Sequence, residues 1–514
     1  MRGIQQLNED VIFLVLETIR ASISKDLFLK DLRSLSLTSR FLRSICLPII
    51  FRNFRRTWDM GVWKHQEILP STLCQHVTVF ELDVSATGDI LVDEPTVLSE
   101  RLVAVFSNMA RLQTFRLMNS AECGPWPALL KAIFTTPTLT TCEILDSPWR
   151  RPEEKFSRLM LDLPRELPRL QKLVYRVPFT DCFPRESESY GRRDKVQGLV
   201  ELSNLSVLVS LVCDSVEALE IPAELALHLV DLPYPKLSEL TFRGHEPLHT
   251  TDWSMMFHRA PRLRDVHIQT PAYFNDRLMS PIISTRSIPH DDPVMRGMTN
   301  LQSLTISNPF GKTLFFQVLT YANLRTLSLK AFPLPDINGS RWSNVHSRVL
   351  TGNEVLYILN TVQIVSLSTF EISYWVDASD LSLLSRIHIS FPKLSTLEIH
   401  RFRPLAKENS ENDPLPSMPN ALAKVVNLKH LMMNLDFPER PRHIDWRHDD
   451  SERSRTFYSF LEKEIVSTFA HAVPSLKTLG ILSHHSFSSC WDIWEVTKTR
   501  GPIPQLQTPI YPPC

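Results

Sequence analysis

One short phrase recurs thirteen times along the chain: an apolar residue, two variable ones, an apolar residue, one variable one, an apolar residue. Its clearest copies are LQSLTI (Leu301, Leu304, Ile306), LRTLSL (Leu324, Leu327, Leu329), LSTLEI (Leu394, Leu397, Ile399) and LKTLGI (Leu476, Leu479, Ile481). In order, the copies begin at Val77, Leu112, Leu139, Leu170, Val216, Leu237, Leu263, Leu301, Leu324, Leu367, Leu394, Leu428 and Leu476. Positions four and six alternate with variable residues, which is the period of a strand whose side chains face opposite sides. Positions four and six therefore point inward, and position one joins them after a short bend. Nearly every copy follows a short helical pattern ending in a phrase such as APRL, FPKL, YANL or VPSL.

A strand and a helix recurring at spacings of 21 to 48 residues predict a solenoid, whose stacked repeats share one continuous core. The fold class is α/β, with parallel strands on the concave face and helices outside. The pattern is similar to that of leucine-rich repeats, whose regular forms run about 20–29 residues, so this array is irregular. Burying three apolar side chains per repeat is worth roughly 5 kcal/mol, and ordering entropy cancels most of it. No repeat folds alone, and the array needs a cap at each end. The segments TTDWSMMFHRA and RTFYSFLEKEIVSTFAHAV read as intervening helices. The polar or proline-rich stretches after Val177, Gln269 and Arg401 are long enough to be functional or disordered. The repeats span 76–495, after a connector over 57–75 that holds Trp58, Trp63 and Pro70. Residues 496–514 read as an extended proline-rich tail.

Composition narrows the function. Hydrophobic content of 43% and charged content of 22% are those of a folded protein. Lys plus Arg and Asp plus Glu balance at 56 each, which argues against a chain-wide nucleic-acid footprint. Residues 1–65, however, hold 11 Lys plus Arg against 6 Asp plus Glu, and that end suits an acidic partner or a solvated basic surface. Eight scattered cysteines without a C-x-x-C pair fit reduced, intracellular usage. The apolar run Val11–Leu16 is too short for a membrane helix and lacks the basic flank of a signal peptide. A cytoplasmic or nuclear location is expected. Thirteen glycines against 37 prolines leave little material for phosphate-cradling loops.

The first 56 residues read as a compact helical unit. Leu7, Val11, Val15 and Ile19 share one helix face. Leu32, Leu35, Phe41, Leu42 and Ile45 give a second helical spacing, which Pro48 breaks or kinks. In LNEDVIFLVLETI and DLRSLSLTSRFLRSICLPIIF this unit resembles the F-box of fungal F-box proteins with leucine-rich repeats. Leu7, Asp10, Val11, Ile12, Val15 and Leu16 match the first half of the family's pattern. Leu32, Leu35, Leu37, Thr38, Arg40, Phe41 and Leu42 match the second, and Asn8 stands where the family usually has proline. The resemblance implies docking on a Skp-type adaptor, and through it on a cullin and a RING subunit, while the repeats hold a protein substrate. Residues Leu7, Asp10, Val11, Ile12, Val15, Leu16, Leu32, Leu35, Leu37, Arg40, Phe41 and Leu42 would then form the adaptor surface. Leu7, Val11, Leu35 and Phe41 would be its buried centre.

Signs of chemistry are weak. Gly311, Lys312 and Thr313 sit between a strand and a helix, but Ile306 occupies the position where a phosphate loop needs glycine. His443, Asp445, His448, Asp449 and Asp450 gather without fixed spacing in a charged loop, and His484, His485 and Cys490 do no better as metal ligands. No enzyme activity, cofactor, metal, nucleic acid or membrane partner is expected. The outward strand residues Arg116, Arg176, His267, Gln269, Lys330, Glu371, Glu398 and His400 are the candidates for substrate contact, although any repeat protein places polar residues there. The expected function is the substrate-recognition subunit of an SCF-type ubiquitin ligase. The alternative is an interaction scaffold unrelated to ubiquitination, in which the N-terminal helices only cap the array.

Overall fold

A computed structural model describes residues 8–22, 24–57, 68–83, 94–118, 127–145, 169–176, 205–226, 232–244, 254–270, 298–307, 309, 315–332, 349–403, 417–435, 456, 459–484, 489–497 and 505–507. They belong to two compact units, one reaching Ile221 and the other starting at Pro222.

The first unit opens with three helices, α1 (Glu9–Ser22), α2 (Lys25–Ser36) and α3 (Arg40–Ile50). Asn8 caps α1: its Oδ1 accepts the N–H of Asp10 at 3.2 Å, a bond that proline could not supply from that position. The second helical spacing is two helices, not one. Leu37 to Ser39 interrupt it, and the Ser39 hydroxyl accepts the N–H of Leu42 at 3.1 Å to start α3. Pro48 does not end α3, which continues to Ile50. It lies in the last turn, where the missing N–H costs a single hydrogen bond. Ile12, Leu16, Phe28, Leu32, Ile45, Cys46 and Ile49 close a core drawn only from these helices.

Strands β1 (Asn53–Thr57), β2 (Val79–Asp83), β3 (Thr114–Met118), β4 (Thr141–Ile144), β5 (Lys172–Tyr175) and β6 (Ala218–Ile221) follow. Each pairs in parallel with the next. In the second unit, β7 (Glu239–Arg243), β8 (Asp265–Gln269), β9 (Ser303–Ile306) and β10 (Thr326–Leu329) continue the pattern. The short β11 (Leu350–Thr351) lies beside β12 (Thr369–Trp375), which itself pairs with β10. The parallel series ends with β13 (Thr396–Phe402), β14 (His430–Leu435) and β15 (Thr478–His484). All thirteen phrases form a strand, and position one of every copy is at most 1% exposed. Together these features make the leucine-rich-repeat architecture.

The phrase works through one backbone device. The carbonyl at position two accepts two N–H groups, from positions two and three of the next repeat: Gln113 and Thr114 on Thr78, Thr140 and Thr141 on Gln113, Ser395 and Thr396 on Ser368. Both lone pairs are used, so the register of each repeat fixes that of the next. The preceding APRL-type phrase is a turn in which the N–H at position one bonds the carbonyl three residues back, as Leu263 does to Ala260 and Leu394 to Phe391. The residue before position one also ties repeats together. The hydroxyls of Thr138, Ser215 and Ser366 donate to the carbonyls of Leu112, Leu170 and Leu324 at 2.7 to 2.8 Å.

Helices cover the inward rows. Phe106 of the helix Glu94–Asn108 meets Phe80 and Phe115 edge-on at 5.7 and 5.6 Å. Cys142 fills an inward position, and burial pushes its thiol up to about 12, which makes it inert. The segment TTDWSMMFHRA contains the helix Ser254–Arg259. The longer predicted helix runs through a π-helical stretch, Leu461–Val466, before Ser467–Ala472.

The ends depart from expectation. β1 is a further repeat strand inside the segment assigned to the helical domain: the Arg52 carbonyl accepts the N–H groups of Thr78 and Val79 as position two does elsewhere. Its position six is Arg56, not an apolar residue. At the other end, β16 (Ser489–Thr497) turns back antiparallel on β15, and β17 (Gln505–Gln507) pairs with β16. The proposed repeat boundary at 495 therefore falls within a strand, and the tail carries β17. A strand turned back on the last repeat covers its otherwise open edge. The long stretches after Val177, Gln269 and Arg401 lie almost wholly outside the described residues.

Candidate interaction surfaces

On the face of the second unit opposite its helices, phrase positions five and seven bring four of the sequence candidates together. Glu371 and Glu398 sit side by side at position five of neighbouring strands, and Ser373 and His400 at position seven. Lys330, at position seven of the β10 repeat, reaches across. Its Nζ is 3.0 Å from Glu371 Oε2 and 3.0 Å from Glu398 Oε1. Burial alone would lower the Lys330 ammonium, but the two carboxylates and their hydrogen bonds outweigh it and hold the group above its ordinary value. Burial likewise pushes Glu398 up. The hydrogen bond from His400 and the charge of Lys330 prevail, and its carboxyl lies below the usual range.

His400 is 1% exposed, and its Nε2 lies 2.7 Å from Glu398 Oε1. Against a carboxylate Nε2 carries the proton, so in the neutral ring Nδ1 is an acceptor. The Trp491 ring from β16 stands edge-on to His400 with centroids 5.8 Å apart. Nearby, Gly480 makes room for Met432: a Cβ there would collide with its Sδ, whereas Trp491 Cε3 would lie at an ordinary contact distance of 3.6 Å. Sequence reasoning missed Ser373 and Gly480, which the phrase places outward but which carry no charge or ring to single them out, and Trp491, which lies on a returning strand that carries no phrase.

The remaining outward candidates stand apart. His267 Nδ1 meets Thr305 Oγ1 at 2.9 Å, and Gln269 pairs in register with Arg243. In the first unit, position five reads Arg55, Glu81, Arg116, Glu143, Val174 and Glu220 across successive strands. Arg116 Nε lies 2.6 Å from Glu143, whose other oxygen meets Lys172 at 3.2 Å. Arg176 grips Glu220 with two bonds of 2.7 and 2.8 Å. The arginines are 38–59% exposed, and such pairs contribute about 0–1 kcal/mol each.

The three-helix unit presents an apolar surface. Val11, Leu14 and Val15 lie three and four residues apart on α1 and are 45%, 68% and 51% exposed, and Leu37 between α2 and α3 is 81% exposed. This corrects the adaptor set read from sequence. Ile12, Leu16, Leu32 and Leu42 are at most 8% exposed and hold the unit together, so they are not available to a partner. Leu35 and Phe41 are half-buried against that core. Asp10, Val11, Val15, Leu37 and Arg40 are exposed, and Leu7 lies outside the described residues.

Gly311, Lys312, Thr313, His443, Asp445, His448, Asp449, Asp450 and His485 also lie outside them. Among the described residues, no group of three His, Cys, Asp or Glu side chains could hold a metal ion. No helix among them is long and apolar enough to cross a membrane.

No protein-family model and no curated protein matches the chain. Among solved structures, it is similar to the leucine-rich repeat-containing protein LegL7 from Legionella pneumophila. The identity is 11% and the TM-score 0.32, over 80% of this chain and 98% of that one. The repeat architecture rests on the strand register and buried rows, not on this likeness.

Proposed function

We propose that the chain is the substrate-recognition subunit of an SCF-type cullin-RING ubiquitin ligase, with α1–α3 docking on a Skp-type adaptor and the repeats binding a protein substrate. The observation that carries the reading is that α1–α3 close a core of their own while α1 leaves Val11, Leu14 and Val15 exposed. A helical cap would spend its apolar face on the neighbouring repeat; these helices keep a second apolar stripe free. The F-box resemblance supplies the partner, and the exposed basic residues Arg33, Arg40 and Arg43 suit an acidic one. The chain would contribute proximity and orientation, and no catalytic group.

The test is co-purification of the full chain with a Skp-type adaptor, beside a Val11→Asp, Val15→Asp variant. Two buried valines are worth about 1.5–3 kcal/mol each, so the folded variant should bind about 100-fold more weakly or worse. Equal binding, or none by the wild type, contradicts the reading. One observation favours the scaffold alternative: β1 begins three residues after α3 and pairs with β2, so the helices adjoin the first repeat. On that reading, deleting residues 1–50 unravels β1 and β2 without the loss of any partner.

A further inference from the structure

We propose that the edge at which the chain enters the strands of the second unit receives an acidic, extended segment of the bound protein. Lys236, Arg262 and Lys393 each stand just before position one of a phrase. Arg264, Arg325, Lys429 and Lys477 each stand at position two. All seven are exposed. Strands β7 to β10 and β12 to β15 pair in one unbroken parallel series, so the seven form a file along one edge. From the residue before position one to position three, only Glu239 and Asp265 are acidic in these eight repeats, and Glu495 lies opposite Thr478. The whole chain balances 56 against 56, so the positive excess here is local.

The fold does not need these charges. Elsewhere the same two places tie repeats together. Before position one, the Asn300 and Asn427 amides donate to the carbonyls of Pro261 and Pro392 at 2.9 and 3.0 Å. At position two, the Ser368 and Ser395 hydroxyls donate to the carbonyls of Arg325 and Ser368 at 3.0 and 3.1 Å. Among the described residues, the seven cations make no such side-chain bond and no ion pair. An exposed charge stands where a structural bond could be. Its arrangement selects the occupant. Neighbouring strands lie about 4.8 Å apart, so the file from β7 to β15 runs about 34 Å, the length of about ten extended residues. Alternate side chains of such a segment face one way, and carboxylates among them can meet the file in turn. These stretches hold no Phe, Tyr or Trp ring on which the bases of a single-stranded nucleic acid could stack.

The inference rests on reading the repeats as the protein-binding half. None of its seven residues lies on α1–α3, so it stands or fails separately from adaptor docking. The experiment is a fluorescence-anisotropy titration of the full chain into a dye-labelled twelve-residue peptide of alternating glutamate and serine. A glutamine counterpart and a single-stranded oligonucleotide of equal charge are run beside it. The glutamate peptide should bind, and at least tenfold more tightly than either control. Its affinity should fall at least tenfold as salt rises from about 50 to about 200 mM, because exposed charges are screened. Arg325→Glu, Lys429→Glu should weaken it at least tenfold. Lys30→Glu, Lys463→Glu, the same charge change at exposed residues off the edge, should leave it within about twofold. No binding, equal binding of the glutamine peptide or the oligonucleotide, or equal losses from the two double variants overturns the proposal.

Discussion

Arg401 donates from Nε to Asp380 Oδ2 at 2.9 Å, and the two side chains are 1% and 2% exposed. The pair joins β13 to the first turn of the neighbouring helix Asp380–Ser390, and the Tyr374 hydroxyl donates to the other carboxylate oxygen at 2.5 Å. Burial and Asp380 push the Tyr374 phenol well above its ordinary value, so it stays a donor. Removing one partner of a buried pair leaves an uncompensated charge, which costs about 3–5 kcal/mol. Arg401→Ala should lower the urea midpoint accordingly, and Tyr374→Phe by the equivalent of only about 1 kcal/mol. An Arg401→Ala variant as stable as Tyr374→Phe would show that the pair is not central to the core.

A second prediction concerns two glycines. A Cβ on Gly352 would lie 2.6 Å from Asp377 Oδ1. That carboxylate is pinned, accepting the N–H groups of Asn353 and Ser379 at 2.8 Å each. A Cβ on Gly480 would instead meet the flexible thioether of Met432, which can move aside. Gly352→Ala should cost about 1–3 kcal/mol and Gly480→Ala less. Adding Asp377→Ala should relieve part of the Gly352→Ala cost. Strict additivity in that double-mutant cycle would contradict the clash.

The charge cluster fixes a pH dependence. Glu398 is depressed in the folded chain, so its contribution is present above the ordinary 4.5 and is lost as pH falls through its lower folded value. Lys330 is raised, so its contribution is present below the ordinary 10.5 and is lost as pH rises through its higher folded value. The cluster is whole between those limits. Urea midpoints measured across pH should show a steeper acid limb for the wild type than for Glu398→Gln, and parallel curves would refute the assignment.

The repeat strands were legible because each needs the same three buried side chains. The first strand was missed because its phrase, FRNFRR, has Phe51 and Phe54 in place but Arg56 at position six. β16 was missed because an antiparallel return follows no repeat; Asp492 interrupts its apolar alternation. Ser39 was a readable helix start, yet the apolar spacing across Leu35, Phe41 and Leu42 masked it. Aligning the phrases would have shown Glu371 beside Glu398, whereas the reach of Lys330 and the approach of Trp491 depend on side-chain length and on a hairpin that carries no phrase.

The central claim is that α1 offers its apolar stripe to a Skp-type adaptor, and amide hydrogen exchange on the full chain tests it most directly. Exchange is compared with and without an excess of the adaptor. The account predicts slower exchange over α1 and the Leu37–Ser39 turn, with the repeat strands unchanged. No change anywhere in residues 8–50, with the adaptor shown to be folded, would contradict it.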